Sequence, residues 1–370
     1  MTITNGKTAP TGHAPIEREV LLRIENLKVE YLAGRGSVRA VDGVSFTVGK
    51  GEVIGLAGES GCGKSTVAQA IMRILGPPAI ITGGEVIFEG KDILSMSDRE
   101  IRKFRWDSVS MVFQSAMNSL NPVSTIGDQI IDGIQAHRRV SEAEARDMAS
   151  ELLEIVGIER ERIDSYPHQL SGGMRQRAVI AIALALQPPL MIMDEPTTAL
   201  DVVVQREILA KITELREKFG FSIIFITHDM SLLVEISDRI AIMYAGQIVE
   251  LAQARELFDT PLHPYTEGLM ASFPALTGPR RVLEGIPGSP PDLISPPSGC
   301  RFHPRCPKRM LICDKAMPKL GEEHPGHQVR CHLHEASRPD TYDPALLEPH
   351  PQTVMREKVR AGQNPERSVS

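Results

Sequence analysis

The chain has 370 residues, of which 42% are hydrophobic and 24% charged, and a formal net charge of −6. This composition is typical of a globular protein with one large domain and an appendage, or with two domains, and the absence of a basic bias argues against a nucleic-acid partner. The longest apolar run, residues 178–186, is far shorter than the roughly 20 residues of a membrane-spanning helix. The first residues lack the apolar core of a signal peptide, so we expect the chain to stay in the cytosol.

Residues 1–18 are polar and rich in Thr, Gly and Pro, which predicts a disordered tail. Apolar runs bounded by glycines then predict strands at 21–31, 41–48, 52–58 and 83–90. A helical pattern at 64–75 precedes the breaker sequence Gly76-Pro77-Pro78. Residues from about 121 to 176 lack strand signals and contain a helical run at 141–157, so we interpret them as a helical subdomain inserted between strands.

The next elements predict a parallel sheet. A buried strand at 190–193 is followed by a helix at 202–220 and a second strand at 222–228. This β-α-β order is typical of a parallel sheet covered by helices. Beyond about residue 258 the proline density rises, which indicates a separate C-terminal module.

Residues 58–66, GESGCGKST, match the pattern G-x-x-x-x-G-K-[ST], between a predicted strand and a predicted helix. Glycines let backbone N–H groups turn inward around phosphates, and the helix adds its positive N-terminal end. We expect Lys64 to reach the β- and γ-phosphates of ATP and Ser65 to bind Mg²⁺. The predicted nucleotide-binding residues of this loop are Gly58, Ser60, Gly61, Gly63, Lys64, Ser65 and Thr66.

The predicted strand at 190–193 ends in two carboxylates, Asp194 and Glu195. Asp194 suits the role of holding Mg²⁺, directly or through water. Glu195 is the candidate general base for the attacking water. Acidic strand ends are often merely solvated, but the phosphate loop upstream favours the catalytic interpretation.

Further motifs carry a resemblance to the ABC ATPase family. Residues 170–176, LSGGMRQ, resemble the signature motif LSGGQ, with Met174 in place of the usual Gln. Four other positions resemble family motifs: the Q-loop glutamine is Gln114, the D-loop is residues 199–201 with Asp201, the switch histidine is His228, and the adenine-stacking aromatic is Tyr31.

The resemblance implies an α/β fold: a P-loop ABC ATPase domain with a parallel sheet core, an antiparallel β subdomain and the inserted helical subdomain. It also implies that Ser171, Gly172 and Gly173 of one subunit close on the ATP of a partner ATPase. Gln114 would then sense Mg²⁺, and His228 would contact the γ-phosphate and orient the water with Glu195. The expected division is a tail at 1–18, the ATPase domain at 19–258, a Cys/Pro-rich module at 259–340 and a flexible tail at 341–370.

The C-terminal sequences HPYT (263–266) and GCRFHPRCP (299–307) resemble the dipeptide/oligopeptide importer branch. This implies an ATPase heterodimer, two permeases and a solute-binding protein, with the ATPases at the cytoplasmic face of the bacterial inner membrane. A motor for nickel or another small solute is an alternative. A soluble non-transport ABC ATPase, an exporter and a catalytically dead subunit are less favoured, because the chain has one phosphate loop, no fused membrane spans and intact Lys64, Glu195 and His228.

Four of the five cysteines follow the spacing C-x5-C-x6-C-x17-C: Cys300, Cys306, Cys313 and Cys331. In a reducing compartment such thiols favour metal or cluster ligation over disulfides. Four thiolates can hold a [4Fe–4S] cluster or a tetrahedral Zn²⁺, and the lack of a C-x2-C pair favours the cluster, as does the family resemblance. Unliganded thiols remain the third alternative. Nearby histidines that could add ligands are His303, His327, His332 and His334.

Overall fold

The structure is a computed structural model that describes residues 18–34, 36–114, 119–198, 200–272 and 285–360. Nearly all of the predicted N-terminal tail, residues 1–17, lies outside these ranges, as do residues 361–370. The rest of the predicted C-terminal tail carries local structure, with a 3-10 turn at Pro344–Leu347 and a helix at Pro351–Arg360.

The strands of the described residues form two sheets. In chain order they are β1 (Val20–Ala33), β2 (Gly36–Gly49), β3 (Val53–Ala57), β4 (Ala79–Phe88), β5 (Lys91–Asp92), β6 (Val109–Val112), β7 (Leu190–Asp194), β8 (Ser222–Ile226), β9 (Arg239–Tyr244), β10 (Gln247–Gln253), β11 (Gly321–His324) and β12 (His327–Val329).

The helices pack around these sheets. They are α1 (Lys64–Ile71), α2 (Asp98–Asp107), α3 (Ile126–His137), α4 (Glu142–Ile155), α5 (Gly172–Leu184), α6 (Val202–Phe219), α7 (Met230–Ile236), α8 (Ala254–Asp259), α9 (Pro264–Ala271) and α10 (Pro351–Arg360).

The smaller sheet has the order β2-β1-β4-β5 and is antiparallel throughout. It contains the strands predicted at 21–31, 41–48 and 83–90. The larger sheet has the order β11-β12-β10-β9-β3-β8-β7-β6. Its neighbours from β9 to β6 pair in parallel, and β10, β12 and β11 extend it by antiparallel pairing. The predicted parallel sheet is therefore the central part of a mixed sheet.

Both faces of the large sheet are covered. Because side chains alternate along a strand, each strand contributes to two cores. On β7, Leu190 and Ile192 pack into the core shared with the small sheet and α1. Met191 and Met193 point to the opposite core, which contains the helices α3 to α6. This two-sided burial explains why the sequence of β7 is a continuous apolar run.

Two helices of the region 121–176 begin with matching caps. Thr125 accepts a hydrogen bond from the Asp128 N–H, and Ser141 accepts one from the Glu144 N–H. Each acidic side chain reaches back to the N–H of its cap residue, so both starts are capping boxes. The second helix agrees with the helix predicted at 141–157.

The C-terminal region contacts the large sheet directly. Strand β12 pairs with β10, where Glu250 lies opposite Val329. Arg301 also binds the Asp42 carboxylate and the Ala245 carbonyl oxygen in the body of the domain. A search of the described residues finds no helix long and apolar enough to cross a membrane.

Candidate functional site

The phosphate loop occupies the turn between β3 and α1. Gly58 and Gly63 have φ angles of 144° and 108°, in the range that favours glycine. A Cβ atom at Gly58 would lie 2.2 Å from the carbonyl oxygen of Met243, and one at Gly63 would lie 2.1 Å from that of Ala40. These glycines are therefore required by both backbone conformation and close packing.

Lys64 begins α1 and folds back over the loop. Its ammonium group donates hydrogen bonds to the carbonyl oxygens of Gly58, at 2.7 Å, and Glu59, at 3.1 Å. Gly63 holds the N-cap position and has no side chain with which to cap the first N–H groups. The helix start and the ammonium group thus present positive charge on one loop, which suits a polyphosphate.

Ser65 and Asp194 come together beside this loop. The Ser65 side chain hydrogen-bonds Asp194, which is the last residue of β7 and only 4% exposed. Burial raises the pKa of the Asp194 carboxyl, and the nearby Glu195 adds to this effect. The Oδ1 atom of Asp194 is buried and has no hydrogen-bond partner within the described residues. An unpaired carboxylate oxygen next to a hydroxyl group fits a Mg²⁺ ion.

Glu195 is held by three side chains. Gln114 Nε2 and Thr198 Oγ1 both donate to its Oε2 atom at 3.0 Å, and His228 Nδ1 lies 3.4 Å from Oε1. Glu195 has a φ of 48°, which is uncommon for a residue other than glycine. The structure therefore brings Gln114, Glu195 and His228 together. Thr198 was missed, although its position one turn after the carboxylate is a usable signal.

Tyr31 lies close to the end of the phosphate loop. Its hydroxyl group is 3.3 Å from the hydroxyl of Thr66 in α1. The Tyr31 side chain is half-buried, so part of its ring remains available to stack on a base.

The signature segment and Asp201 have local roles at helix starts. Ser171 is exposed and caps α5 by accepting from the Met174 N–H at 3.3 Å. Asp201 caps α6 by accepting from the N–H groups of Val203 and Val204. Within the part of the chain that the structure describes, no hydrogen bond links Ser171 or Asp201 to the phosphate loop. Gly172 and Gly173 form the first turn of α5, and Ala199 lies outside the described residues.

The four clustered cysteines are free thiols in one neighbourhood. Burial raises the pKa of Cys300 and of Cys306 to about 12, and the nearby Cys313 contributes to both shifts. Burial also raises the pKa of Cys331, and the other three thiols add to this shift. Across the described ranges, however, no group of three or more His, Cys, Asp or Glu side chains is arranged to hold a metal ion.

The histidines near these thiols have other partners. His303, His332 and His334 each pair through a ring nitrogen with a backbone carbonyl oxygen, and His327 lies between Glu250 and Glu256. This pairing is the structural role expected of most histidines.

Two family profiles match the chain. The profile of ABC transporters covers residues 41–198, and the profile of the oligopeptide/dipeptide transporter C-terminal region covers residues 249–313. The first includes the phosphate loop and Glu195, and the second includes Cys300, Cys306 and Cys313.

The chain is similar over most of its length to curated transporter subunits. It is 45% identical over 320 residues to the dipeptide transport ATP-binding protein DppD of Bacillus subtilis, covering 86% of this chain and 96% of that protein. It is 42% identical over 327 residues to the oligopeptide transport ATP-binding protein OppD of Escherichia coli, covering 88% and 96% of the two chains.

Solved structures agree with the fold. A dimeric ATP-binding cassette in a post-hydrolysis state, bound to ADP and Pi, is 30% identical with a TM-score of 0.57, covering 64% of this chain and 99% of that chain. CbiO1 from Clostridium perfringens, part of the ABC transporter complex CbiONQ, is 29% identical with a TM-score of 0.58, covering 66% and 92%. This chain belongs to the ATP-binding subunits of ABC transporters, in the branch that carries the oligopeptide/dipeptide transporter C-terminal region.

Proposed function

We propose that this ABC ATPase uses ATP hydrolysis to power the import of dipeptides or oligopeptides. The names of the relatives, which describe dipeptide and oligopeptide transport, support the solute class. The matching C-terminal region supports the same branch. The observation that carries the motor role is the convergence of Gln114, Thr198 and His228 on Glu195, next to the paired Ser65 and Asp194.

In this proposal the loop from Gly58 to Thr66 binds the phosphates of ATP. Ser65, Asp194 and Gln114 would hold Mg²⁺, which would neutralise charge on the β- and γ-phosphates. Glu195 accepts a proton from the attacking water, and His228 orients that water and the γ-phosphate. Tyr31 stacks on the adenine base.

The proposal places the chain in a complex with a second, related ATPase, two permeases and a solute-binding protein, at the cytoplasmic face of the bacterial inner membrane. The exposed Ser171 at the start of α5 supports a composite site, since a helix start that faces solvent can bind the phosphate of an ATP held by a partner. The dimeric state of the solved cassette supports the same arrangement.

Uptake into vesicles tests the solute class. The chain would be reconstituted with its permeases and second ATPase, with ATP on the ATPase side and the binding protein outside. We expect uptake of labelled di- and tripeptides that is lost in Lys64→Ala, because that variant lacks the ammonium group of the phosphate loop. Uptake of labelled Ni²⁺ without uptake of peptides would refute the peptide assignment and favour the alternative motor role.

We also propose that Cys300, Cys306, Cys313 and Cys331 hold a [4Fe–4S] cluster with a structural role. The four thiols lie in one largely buried neighbourhood, which supports a shared cationic ligand that would offset the negative charge of four thiolates. A single Zn²⁺ requires sulfur atoms about 2.3 Å from one point. A four-iron cluster spans several atoms, so its thiolates stand further apart than those of a single ion.

Iron analysis tests the cluster. Protein purified without oxygen is expected to be brown and to contain about four iron atoms per chain. Cys313→Ser is expected to lose the colour and iron. Cys62→Ser is the matched control, because Cys62 lies in the phosphate loop, and it is expected to retain both. Folded protein that is colourless and free of iron rules the cluster out.

A further inference from the structure

The C-terminal region contacts the phosphate loop through one buried arginine. The guanidinium group of Arg305 forms a bidentate ion pair with the Glu59 carboxylate, with N–O distances of 2.7 and 2.9 Å. Glu59 is the second residue of the phosphate loop and occupies a position where the loop pattern accepts any residue. The pattern therefore gives no reason for a charge there, and the contact does.

Arg305 is fixed in place by its own surroundings. Its side chain is 6% exposed, and it donates further hydrogen bonds to the carbonyl oxygens of Pro287, at 2.9 Å, and Ile286, at 3.4 Å. The guanidinium group also lies 5.7 Å from the ring centre of Tyr244. A planar group with several fixed partners is a rigid anchor for a carboxylate, which a flexible lysine is not.

A second contact holds the backbone of the same loop residue. The Glu59 N–H donates to the hydroxyl oxygen of Tyr265 at 2.9 Å. Tyr265 is fully buried and packs against Tyr244 and Phe302, with ring centres 4.6 and 5.4 Å away. This aromatic cluster joins α9, the end of β9 and the segment that precedes Arg305.

Glu59 is thus fixed on three sides. Tyr265 holds its N–H, Arg305 holds its carboxylate, and its carbonyl oxygen accepts from Lys64. We propose that Arg305 and Tyr265 are positioning residues for ATP binding, which hold the phosphate loop in its binding conformation through Glu59. The C-terminal region thereby affects nucleotide affinity, although it contains neither the phosphate loop nor Asp194 and Glu195.

The test compares Arg305→Met, Tyr265→Phe and Glu59→Gln in the purified full-length chain. Equilibrium binding of a fluorescent ATP analogue is measured for each, and steady-state hydrolysis is measured after reconstitution with the second ATPase and the permeases. We expect Arg305→Met to weaken nucleotide binding by about tenfold while kcat changes by less than about threefold, because the loop is displaced but the residues around Glu195 are not. Tyr265→Phe is expected to weaken binding in the same direction, and Arg305→Lys to give an intermediate loss.

Two comparisons separate positioning from general destabilisation. Arg301→Met is the matched control, since Arg301 is a similarly buried arginine of the same segment whose partners, Asp42 and the Ala245 carbonyl oxygen, lie outside the loop. It is expected to lower the melting temperature and leave nucleotide affinity within about twofold of the parent. Combining Arg305→Met with Glu59→Gln is expected to weaken binding no more than Arg305→Met alone. Equal affinity losses in the Arg305 and Arg301 variants, additive losses in the double variant, or unchanged affinity in folded Arg305→Met would each overturn the proposal.

Discussion

Two glycines of the phosphate loop differ in what surrounds them. Gly61 and Gly63 both have positive φ angles, 78° and 108°. A Cβ atom at Gly61 would meet no atom within 4 Å, whereas one at Gly63 would lie 2.1 Å from the carbonyl oxygen of Ala40. The loop pattern requires only the second of these glycines, and the structure gives a steric reason.

We therefore expect alanine substitutions at these two glycines to lower the unfolding free energy by different amounts. Gly61→Ala is expected to cost about 1–2 kcal/mol of unfolding free energy for the strained backbone. Gly63→Ala is expected to cost about 2 kcal/mol more, since the backbone of Ala40 must also move. Urea unfolding of both variants measures the difference, and equal losses would contradict the steric explanation.

Glu195 shows how a single residue can combine strain with support. Its positive φ turns the carboxylate away from the line of β7, and its N–H still donates to the Ile226 carbonyl oxygen of β8 at 2.8 Å. The bonds from Gln114 and Thr198 then hold the side chain. Such unfavourable backbone geometry persists where surrounding contacts fix it.

At the scale of elements, the strands with strong apolar runs were predictable and the hairpin of β9 and β10 was not. The turn between β9 and β10 places Ala245 and Gly246 at φ angles of 49° and 83°. Two-residue hairpin turns of this kind usually carry Asn-Gly or Asp-Gly, so an Ala-Gly pair gives a weak sequence signal. Strands β11 and β12 are short and polar, and their pairing with β10 depends on contacts distant in sequence.

Helix α1 is shorter than the sequence predicts. The sequence predicts a helix over 64–75, but α1 ends at Ile71 because Arg73 adopts a φ of 49°. The guanidinium group of Arg73 donates to the carbonyl oxygens of Ile93 and Met96, at the 3-10 turn that follows β5. Tertiary contacts therefore end the helix before the Gly-Pro-Pro sequence does.

A buried histidine of β12 contacts two glutamates, one of which belongs to β10. His327 is fully buried between Glu250, at 2.8 Å, and Glu256, at 3.0 Å. Burial acts to lower the pKa of His327, but the two carboxylates outweigh it and raise the pKa above 6.5. A histidine whose pKa is higher in the folded chain than in the unfolded chain adds its full stabilisation at pH values below the unfolded pKa. This stabilisation is lost as the pH rises through the folded pKa.

The stability that His327 confers is accordingly expected to depend on pH. The difference in unfolding free energy between the parent chain and His327→Gln is expected to be largest at about pH 6 and to shrink at pH 9. Urea unfolding of both chains at the two pH values measures it. A difference that grows with rising pH would show that His327 is neutral in the folded chain.

At the scale of the whole molecule, the parallel sheet explains why separate motifs meet. Strands β3, β6, β7 and β8 run in one direction, so their carboxyl ends lie at the same edge. The phosphate loop, Gln114, Asp194 and His228 each follow or end one of these strands. Ligands of open parallel sheets bind at such an edge, which explains why motifs found through the sequence pattern and the family resemblance lie near one another.

The contacts made by the C-terminal region could not be predicted in this way. Tyr265 and Arg305 lie in the two C-terminal sequences that resemble the importer branch, but neither sequence shows that these residues reach Glu59. Similarly, the proline-rich sequence after residue 258 gives no sign that β12 extends the large sheet beside β10. Proline density marks irregular backbone and says nothing of where that backbone packs.

Turnover of Glu195→Gln in the reconstituted transporter tests the central claim most directly. The amide has nearly the shape of the carboxylate and cannot accept the proton of the attacking water. We expect ATP binding to be retained and kcat to fall by about 10²–10⁴-fold. Hydrolysis at the parental rate with intact ATP binding would contradict the assignment of Glu195 as the general base of this motor.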